Sequence, residues 1–390
     1  MPESAFKVCI IGCGIIGAGA VTRFESDERV RVVGVADLSK PKADELAARA
    51  GARAYIDVDE MLETESPDIV VLATPDAFHL EPALAVARAG VPHLFMQKPL
   101  ATTVEDARVI ERALGASRTT TYMLFTNRFD AMDLATRYVV QEGLIGRPIY
   151  GEARLDDNIF VPLNLWGARS RAWVEGSSPG QFLLSHVVDQ LRWYFEPAEI
   201  ESVYAIGQQE VLGYTPDLLD AFLFLDNGMK IRVKAEWIKF MESRVEFYLC
   251  FGGSTGSVTY NKLPGFNTTL GWRTEVSPEV PWEALERHYT ILQEHGIDCR
   301  IGVEERWGPT GRATAHIMSI AQNGTRGAFR TLVDAVEEGT DRPRAMLPFG
   351  RLPNLVDGLR STEVIAAIHE SARDRKEVAV PRLEPAVASG

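Results

Sequence analysis

The stretch that decides the fold is residues 6–37, FKVCIIGCGIIGAGAVTRFESDERVRVVGVAD. Lys7 to Ile11 is a short apolar run, Gly12 to Gly17 a glycine turn, Ala18 to Phe24 the start of a helical pattern, and Val30 to Ala36 a second β-branched run ending at Asp37. That succession is a strand, helix, strand unit. The glycines fit G-x-G-x-x-G, a weak pattern alone, but this copy follows a strand and opens a helix. Gly12 permits the tight turn, Gly14 lets a pyrophosphate approach the backbone, and Gly17 allows close helix packing. Ile15 and Ile16 begin a helix whose free N–H groups and positive dipole end favour phosphate. Asp37 stands 20 residues past Gly17, where a carboxylate accepts hydrogen bonds from an adenosine ribose and repels a 2′-phosphate. The expected cofactor is NAD, with NADP the lesser alternative because Ser39 and Lys40 would tolerate a phosphate.

Outward from this unit the alternation continues. Lys40 to Ala50 reads as a helix, Asp68 to Ala73 as a strand, His79 to Ala89 as a helix, His93 to Met96 as a strand and Thr103 to Gly115 as a helix, which predicts an α/β domain with a doubly wound parallel sheet over residues 1–126. From residue 127 to 390 the pattern is one of longer strands and tight turns, with hairpin signals at Asp226-Asn227-Gly228 and around Gly252 to Gly256. It predicts a second, α+β domain with a large, mostly antiparallel open sheet. Leu355 to Ala372 is an amphipathic helix, followed by a tail that packs back on the body.

The 390 residues are 46% hydrophobic and 24% charged, ordinary globular usage far from the disordered corner. The net charge of -13 argues against nucleic acid and anionic membranes as partners. No apolar stretch is long enough to span a bilayer, and the amino terminus lacks a secretory signal pattern, so a cytoplasmic location is expected. Four cysteines occur without a Cys-x-x-Cys pair. His288, His295 and Cys299 fall near helical spacing but Gly296 interrupts them and no carboxylate completes a set, so no metal site is expected.

Ligands of open α/β sheets sit at strand carboxyl ends. This makes Thr74 and Pro75 cofactor candidates, with His79, which reads foremost as a helix start, beside them. The next strand leads to Gln97-Lys98-Pro99, a lysine pinned by proline and placed to set an ammonium beside a nicotinamide and a substrate oxygen.

At these residues the chain resembles the Gfo/Idh/MocA family of nucleotide-dependent oxidoreductases. The glycine fingerprint, Gln97-Lys98-Pro99 in place of Glu-Lys-Pro, and Gly180 through His186-Val187-Val188-Asp189 in place of Gly-Gly-x-Asp-x-x-x-His-x-x-Asp carry the resemblance. It implies a Rossmann domain, a second domain whose open sheet makes a homodimer or homotetramer, and oxidation or reduction of a secondary hydroxyl or ketone on a sugar, glycoside or cyclitol. It also implies Lys98, His186 and Asp189 as the catalytic set, with Gln97 and Lys98 beside the cofactor. Two departures stand out: Gln97 replaces an acid, and Phe182 stands where many members carry an aspartate. Phe182, His186, Asp189 and Trp193 recur at helical spacing, which predicts one shared face. A neutral imidazole, ordinary pKa about 6.5, suits a base for an alcohol proton, and the Lys98 ammonium suits the charge left on oxygen. Asn127, Arg128, Asp157, Asn158, Trp166, Arg169, Trp173 and Phe182 are candidate substrate groups, hydroxyl readers mixed with flat apolar faces. Two rival readings share this pattern: an NAD-dependent glycosidase working by transient oxidation and elimination, and a non-catalytic ligand sensor.

Overall fold

The apolar runs become strands nearly where the sequence predicts them. A computed structural model describes residues 5–263, 271–308 and 311–382. It begins with β1 (Phe6–Ile11), helix Ile15–Phe24, β2 (Val30–Ala36), helix Lys40–Ala50, β3 (Arg53–Tyr55), helix Val58–Glu65, β4 (Ile69–Leu72), helix Leu80–Ala89, β5 (His93–Met96), helix Val104–Ala116 and β6 (Thr120–Met123). The six strands form one sheet in the order β3-β2-β1-β4-β5-β6, and every pairing is parallel. Helices on both faces bury such a sheet, which is why β4 reads Ile-Val-Val-Leu and is buried throughout. The sequence reading passes over β3 and helix Val58–Glu65, which are short and largely polar. Their one local signal is Asp57, whose carboxylate caps that helix by accepting from the Glu60 N–H at 2.9 Å.

The chain divides into Met1–Asp130 with Gly324–Thr362, and Ala131–Asn323 with Glu363–Gly390. This differs from the expected single boundary after residue 126, because a late segment returns to the first unit. Leu355 and Leu359, at the start of helix Leu355–Asp374, pack into the core of the parallel sheet. Asn354 bridges Tyr122, and Asp357 sits against Arg128 at 3.4 Å and Arg351 at 2.5 Å.

In the second unit β7 (Pro148–Asn158), β8 (Ile200–Gln208), β9 (Leu218–Leu225), β10 (Lys230–Lys239), β11 (Val245–Gly253), β12 (Gly256–Leu263), β13 (Gly271–Val276), β14 (Arg300–Gly308), β15 (Gly311–Ile320) and β16 (Val378–Ala379) join in one sheet. Its order is β14-β15-β13-β12-β11-β7-β10-β9-β8-β16. Only the β7–β10 pairing is parallel. Both expected hairpins form, β9 with β10 and β11 with β12, and the tail pairs with β8. Helices Ala131–Gln141 and Ser185–Phe195 pack together and against this sheet. A polar knot joins all three: buried Asp133 accepts from Tyr194 at 2.5 Å, Tyr260 at 2.7 Å, Lys262 at 3.0 Å and the Gln190 amide. No helix among the described residues is long and apolar enough to cross a membrane.

Arg128 is wholly buried and Asp357 is 1% exposed, so Asp357→Ala removes the carboxylate that faces a buried guanidinium. Breaking such a pair costs about 3–5 kcal/mol. Urea denaturation of the variant should show a loss of that size at unchanged slope.

Candidate active site

The glycine turn separates two kinds of glycine. A Cβ on Gly12, which adopts φ +98°, would stand 2.6 Å from the Ala73 carbonyl oxygen, and one on Gly17 would stand 2.0 Å from the Gly12 oxygen. The chain's own packing demands these two. At Gly14 a Cβ would meet nothing within 4 Å, so that glycine keeps open a cradle at the start of helix Ile15–Phe24, where unpaired backbone N–H groups collect. Asp37 follows β2 and is tied to the same turn: Oδ2 accepts from the Cys13 N–H at 2.9 Å and Oδ1 from the Ser39 N–H at 2.8 Å. Each oxygen retains acceptor capacity for a ribose hydroxyl. These residues fit a dinucleotide. Burial, then the charge of Asp37, pushes the Cys13 thiol up to about 12, so Cys13 is no nucleophile at neutral pH.

The ends of β4 and β5 carry the next candidates. The Thr74 hydroxyl donates to the Phe78 carbonyl at 3.0 Å, and Pro75 is exposed. His79 is only 1% exposed, with Nδ1 2.8 Å from the Pro99 carbonyl oxygen and Nε2 3.1 Å from that of Thr74. Gln97 donates its N–H to the Leu72 carbonyl at 3.0 Å, while its side-chain oxygen accepts from the Lys98 N–H at 3.3 Å. Lys98 is half-buried and precedes a cis Pro99.

In the second unit, helix Ser185–Phe195 buries every residue except His186. Asp189, one turn on, is wholly buried. The preceding turn, Gly180–Leu184, is π-helical. That turn is held by Ser178, whose hydroxyl lies 2.9 Å from His369 Nε2 and accepts from the Gly180 N–H at 2.9 Å. A Cβ on Gly180 would stand 2.6 Å from His369 Nε2, so Gly180 makes room for this imidazole. His369 lies 191 residues from Ser178, and sequence reasoning gave no sign of it.

The aromatic candidates come together. Trp173 touches Phe182 at 4.8 Å between ring centroids, Trp166 at 6.0 Å and Trp237 at 5.5 Å. Trp237, absent from the sequence candidates, donates its indole N–H to Asp157 at 3.2 Å. Asp157 is 2% exposed, so its carboxylate supports the aromatic cluster from within. Asn158 is spent on backbone, its oxygen accepting from the Phe160 N–H at 2.9 Å and its amide donating to the Met241 carbonyl. Arg128 faces Asp357 in the core of the first unit, Asn127 is half-buried on the turn Thr126–Phe129, and Arg169 is exposed on a turn of the second unit.

Residues 6–123 match the oxidoreductase family with an NAD-binding Rossmann fold, and residues 134–259 match the GFO/IDH/MocA C-terminal domain. The chain belongs to the Gfo/Idh/MocA family. Among its relatives, an inositol 2-dehydrogenase of Rubrobacter xylanophilus is 28% identical over 96% of this chain and 94% of its own. A 1,5-anhydro-D-fructose reductase of Ensifer adhaerens is 27% identical over 79% of this chain and 96% of its own. The same fold occurs in a levoglucosan dehydrogenase solved with NADH and levoglucosan, at TM-score 0.72, 19% identity and 97% and 100% coverage. It recurs in the WlbA dehydrogenase of Bordetella pertussis solved with NADH and UDP-GlcNAcA, at TM-score 0.72, 20% identity and 98% and 99% coverage. This Gfo/Idh/MocA protein is thus an NAD(P)-dependent oxidoreductase with an NAD-binding Rossmann domain.

Two outcomes follow for this family member. Gly14→Ala should leave thermal stability within a few degrees of the parent, since the added methyl meets only open space, while NAD binding by fluorescence titration weakens at least tenfold. Burial holds His369 near pH 4, below its ordinary 6.5. Between those values the unfolded chain binds the extra proton, so stability is complete above about pH 6.5 and falls as pH drops toward 4, by on the order of 2–3 kcal/mol. Denaturation across this range should show the fall, and His369→Gln should flatten it.

Proposed function

We propose that this Gfo/Idh/MocA oxidoreductase transfers a hydride between nicotinamide and a secondary hydroxyl or ketone of a sugar, glycoside or cyclitol. The observation that carries the reading is His186, the one accessible side chain on a helix that otherwise buries itself completely. A packing histidine has no need of that surface, whereas a base must reach its proton. The polyol relatives support the substrate class.

Bound NAD supplies a hydride acceptor for the carbinol carbon. The His186 imidazole would take the hydroxyl proton as the carbinol carbon gives up its hydride to become a ketone carbon. Lys98 stabilises the partial charge that grows on the substrate oxygen. Buried Asp189 orients His186 on its helix. Gly12, Gly14, Ile15, Ile16, Gly17, Asp37, Thr74 and Pro75 hold the dinucleotide, NAD ahead of NADP because Asp37 repels a 2′-phosphate. Trp166, Trp173 and Phe182 offer flat faces to the C–H side of a ring or to an aromatic aglycone, and Asn127 and Arg169 supply polar contacts.

We also infer a homodimer or homotetramer through the sheet of the second unit. Tyr204, Ile206 and Phe222 lie exposed side by side on one of its faces, more apolar surface than a free sheet face ordinarily shows. A cytoplasmic home accords with four free cysteines.

His186→Ala should lose roughly 10²- to 10⁴-fold in kcat with NAD affinity intact, measured on a panel of sugars, glycosides and cyclitols by absorbance of reduced nicotinamide. A variant within a few-fold of the parent sinks the base assignment. Conversion of a glycoside with no net NAD consumed would replace the dehydrogenase reading by elimination, and binding without turnover would replace it by a sensor. Asp37→Ala should bring the NAD and NADP dissociation constants together, and an unchanged ratio would reject that assignment.

A further inference from the structure

We propose that His79 is a positioning residue for Lys98: its Nδ1–H holds the Pro99 carbonyl and so fixes the backbone from which the lysine reaches substrate. The inference rests on the reading of Lys98 as the group that stabilises the substrate oxygen.

His79 heads helix Leu80–Ala89, yet its ring points into the protein and is 1% exposed. That leaves it no surface for a ligand, contrary to its place among the cofactor candidates. Its ring nitrogens face the carbonyls that leave two neighbouring strands, Thr74 after β4 and Pro99 after β5, and a neutral ring donates to only one of them. A neutral imidazole has one N–H to donate. We place it on Nδ1, at the shorter contact to Pro99, 2.8 Å against 3.1 Å to Thr74. Burial supports the neutral ring by holding its pKa below the ordinary value, against the opposing charge of Asp76.

Lys98 therefore lies between two fixed points. On one side the Gln97 N–H is bonded to the Leu72 carbonyl of β4, and on the other the Pro99 carbonyl is bonded to His79. Pro99 has no N–H with which to anchor itself, so its carbonyl is the hold available on that side. Loss of it would let the lysine shift, and a displacement of about 1 Å at a reacting group costs on the order of 10²-fold in rate.

The test compares His79→Leu, which fills the space without a donor, with His79→Asn, whose amide nitrogen takes the place of Nδ1. The leucine variant should lose about tenfold or more in kcat with NAD affinity unchanged by fluorescence titration, and the asparagine variant should recover to within a few-fold of the parent. In a Lys98→Ala background, His79→Leu should cost no further residual turnover. Equal losses in both variants, or a full second loss in that background, would overturn the positioning role. An active Lys98→Ala enzyme would instead overturn the reading of Lys98 itself. Should the leucine variant fail to fold, ¹⁵N shifts of the His79 ring in the unaltered protein decide: a protonated Nδ1 is expected, and a bare Nδ1 refutes the proposal.

Discussion

No side chain fits where the first turn of the chain crosses the end of β4. Gly12 lies so close to the Ala73 carbonyl, and Gly17 so close to Gly12, that a single methyl at either place would collide with backbone. Backbone cannot retreat as a flexible side chain does, so this contact sets the height at which helix Ile15–Phe24 begins above the sheet. The rest of the first unit is arranged from that height. Asp37 is drawn back to the turn by the Cys13 N–H, and β4 and β5 release their chains at the same edge through Thr74 and Gln97. The open cradle at the start of this helix is thus a consequence of packing, Gly14 being the glycine of the turn where a Cβ would meet no atom within 4 Å.

The second unit positions its chemistry by a different means. Here helix Ser185–Phe195 is placed by buried polar groups that are satisfied only in one arrangement. Asp133 gathers donors from helix Ser185–Phe195 and from β12, which fixes the helix against the sheet. Ser178 and His369 then hold the wider turn that leads into that helix. With both in place, His186 is the one residue of helix Ser185–Phe195 that is not fully buried.

How much of this was legible follows from the range of each interaction. The glycine turn, the alternation of strand and helix, both hairpins and the carboxyl-terminal helix are written in spacings of a few residues, and the sequence discloses them. In the sequence Arg128 and Asp157 read as substrate groups because polar and charged side chains suit the reading of hydroxyls. Their burial depends on Asp357 and Trp237, which lie far along the chain. The same distance hid His369 behind the π-helical turn and hid the return of residues 324–362 to the first unit. A single sequence carries no sign of contacts across such separations unless a local pattern marks both ends.

The departure at Phe182 takes on a definite character in this light. An aspartate lost by drift would leave its surroundings polar, and these are not. Phe182 meets Trp173 edge-on at 4.8 Å and Trp237 at 6.1 Å, and Trp237 in turn occupies the carboxylate of Asp157. A charge placed at residue 182 would sit against these two rings, and the indole N–H of Trp237 is already given to Asp157. The phenylalanine therefore belongs to a set of residues that agree with one another, drawn from three separate parts of the chain. At Gln97 the chain likewise carries a neutral side chain where the family pattern has an acid, so both departures remove a negative charge.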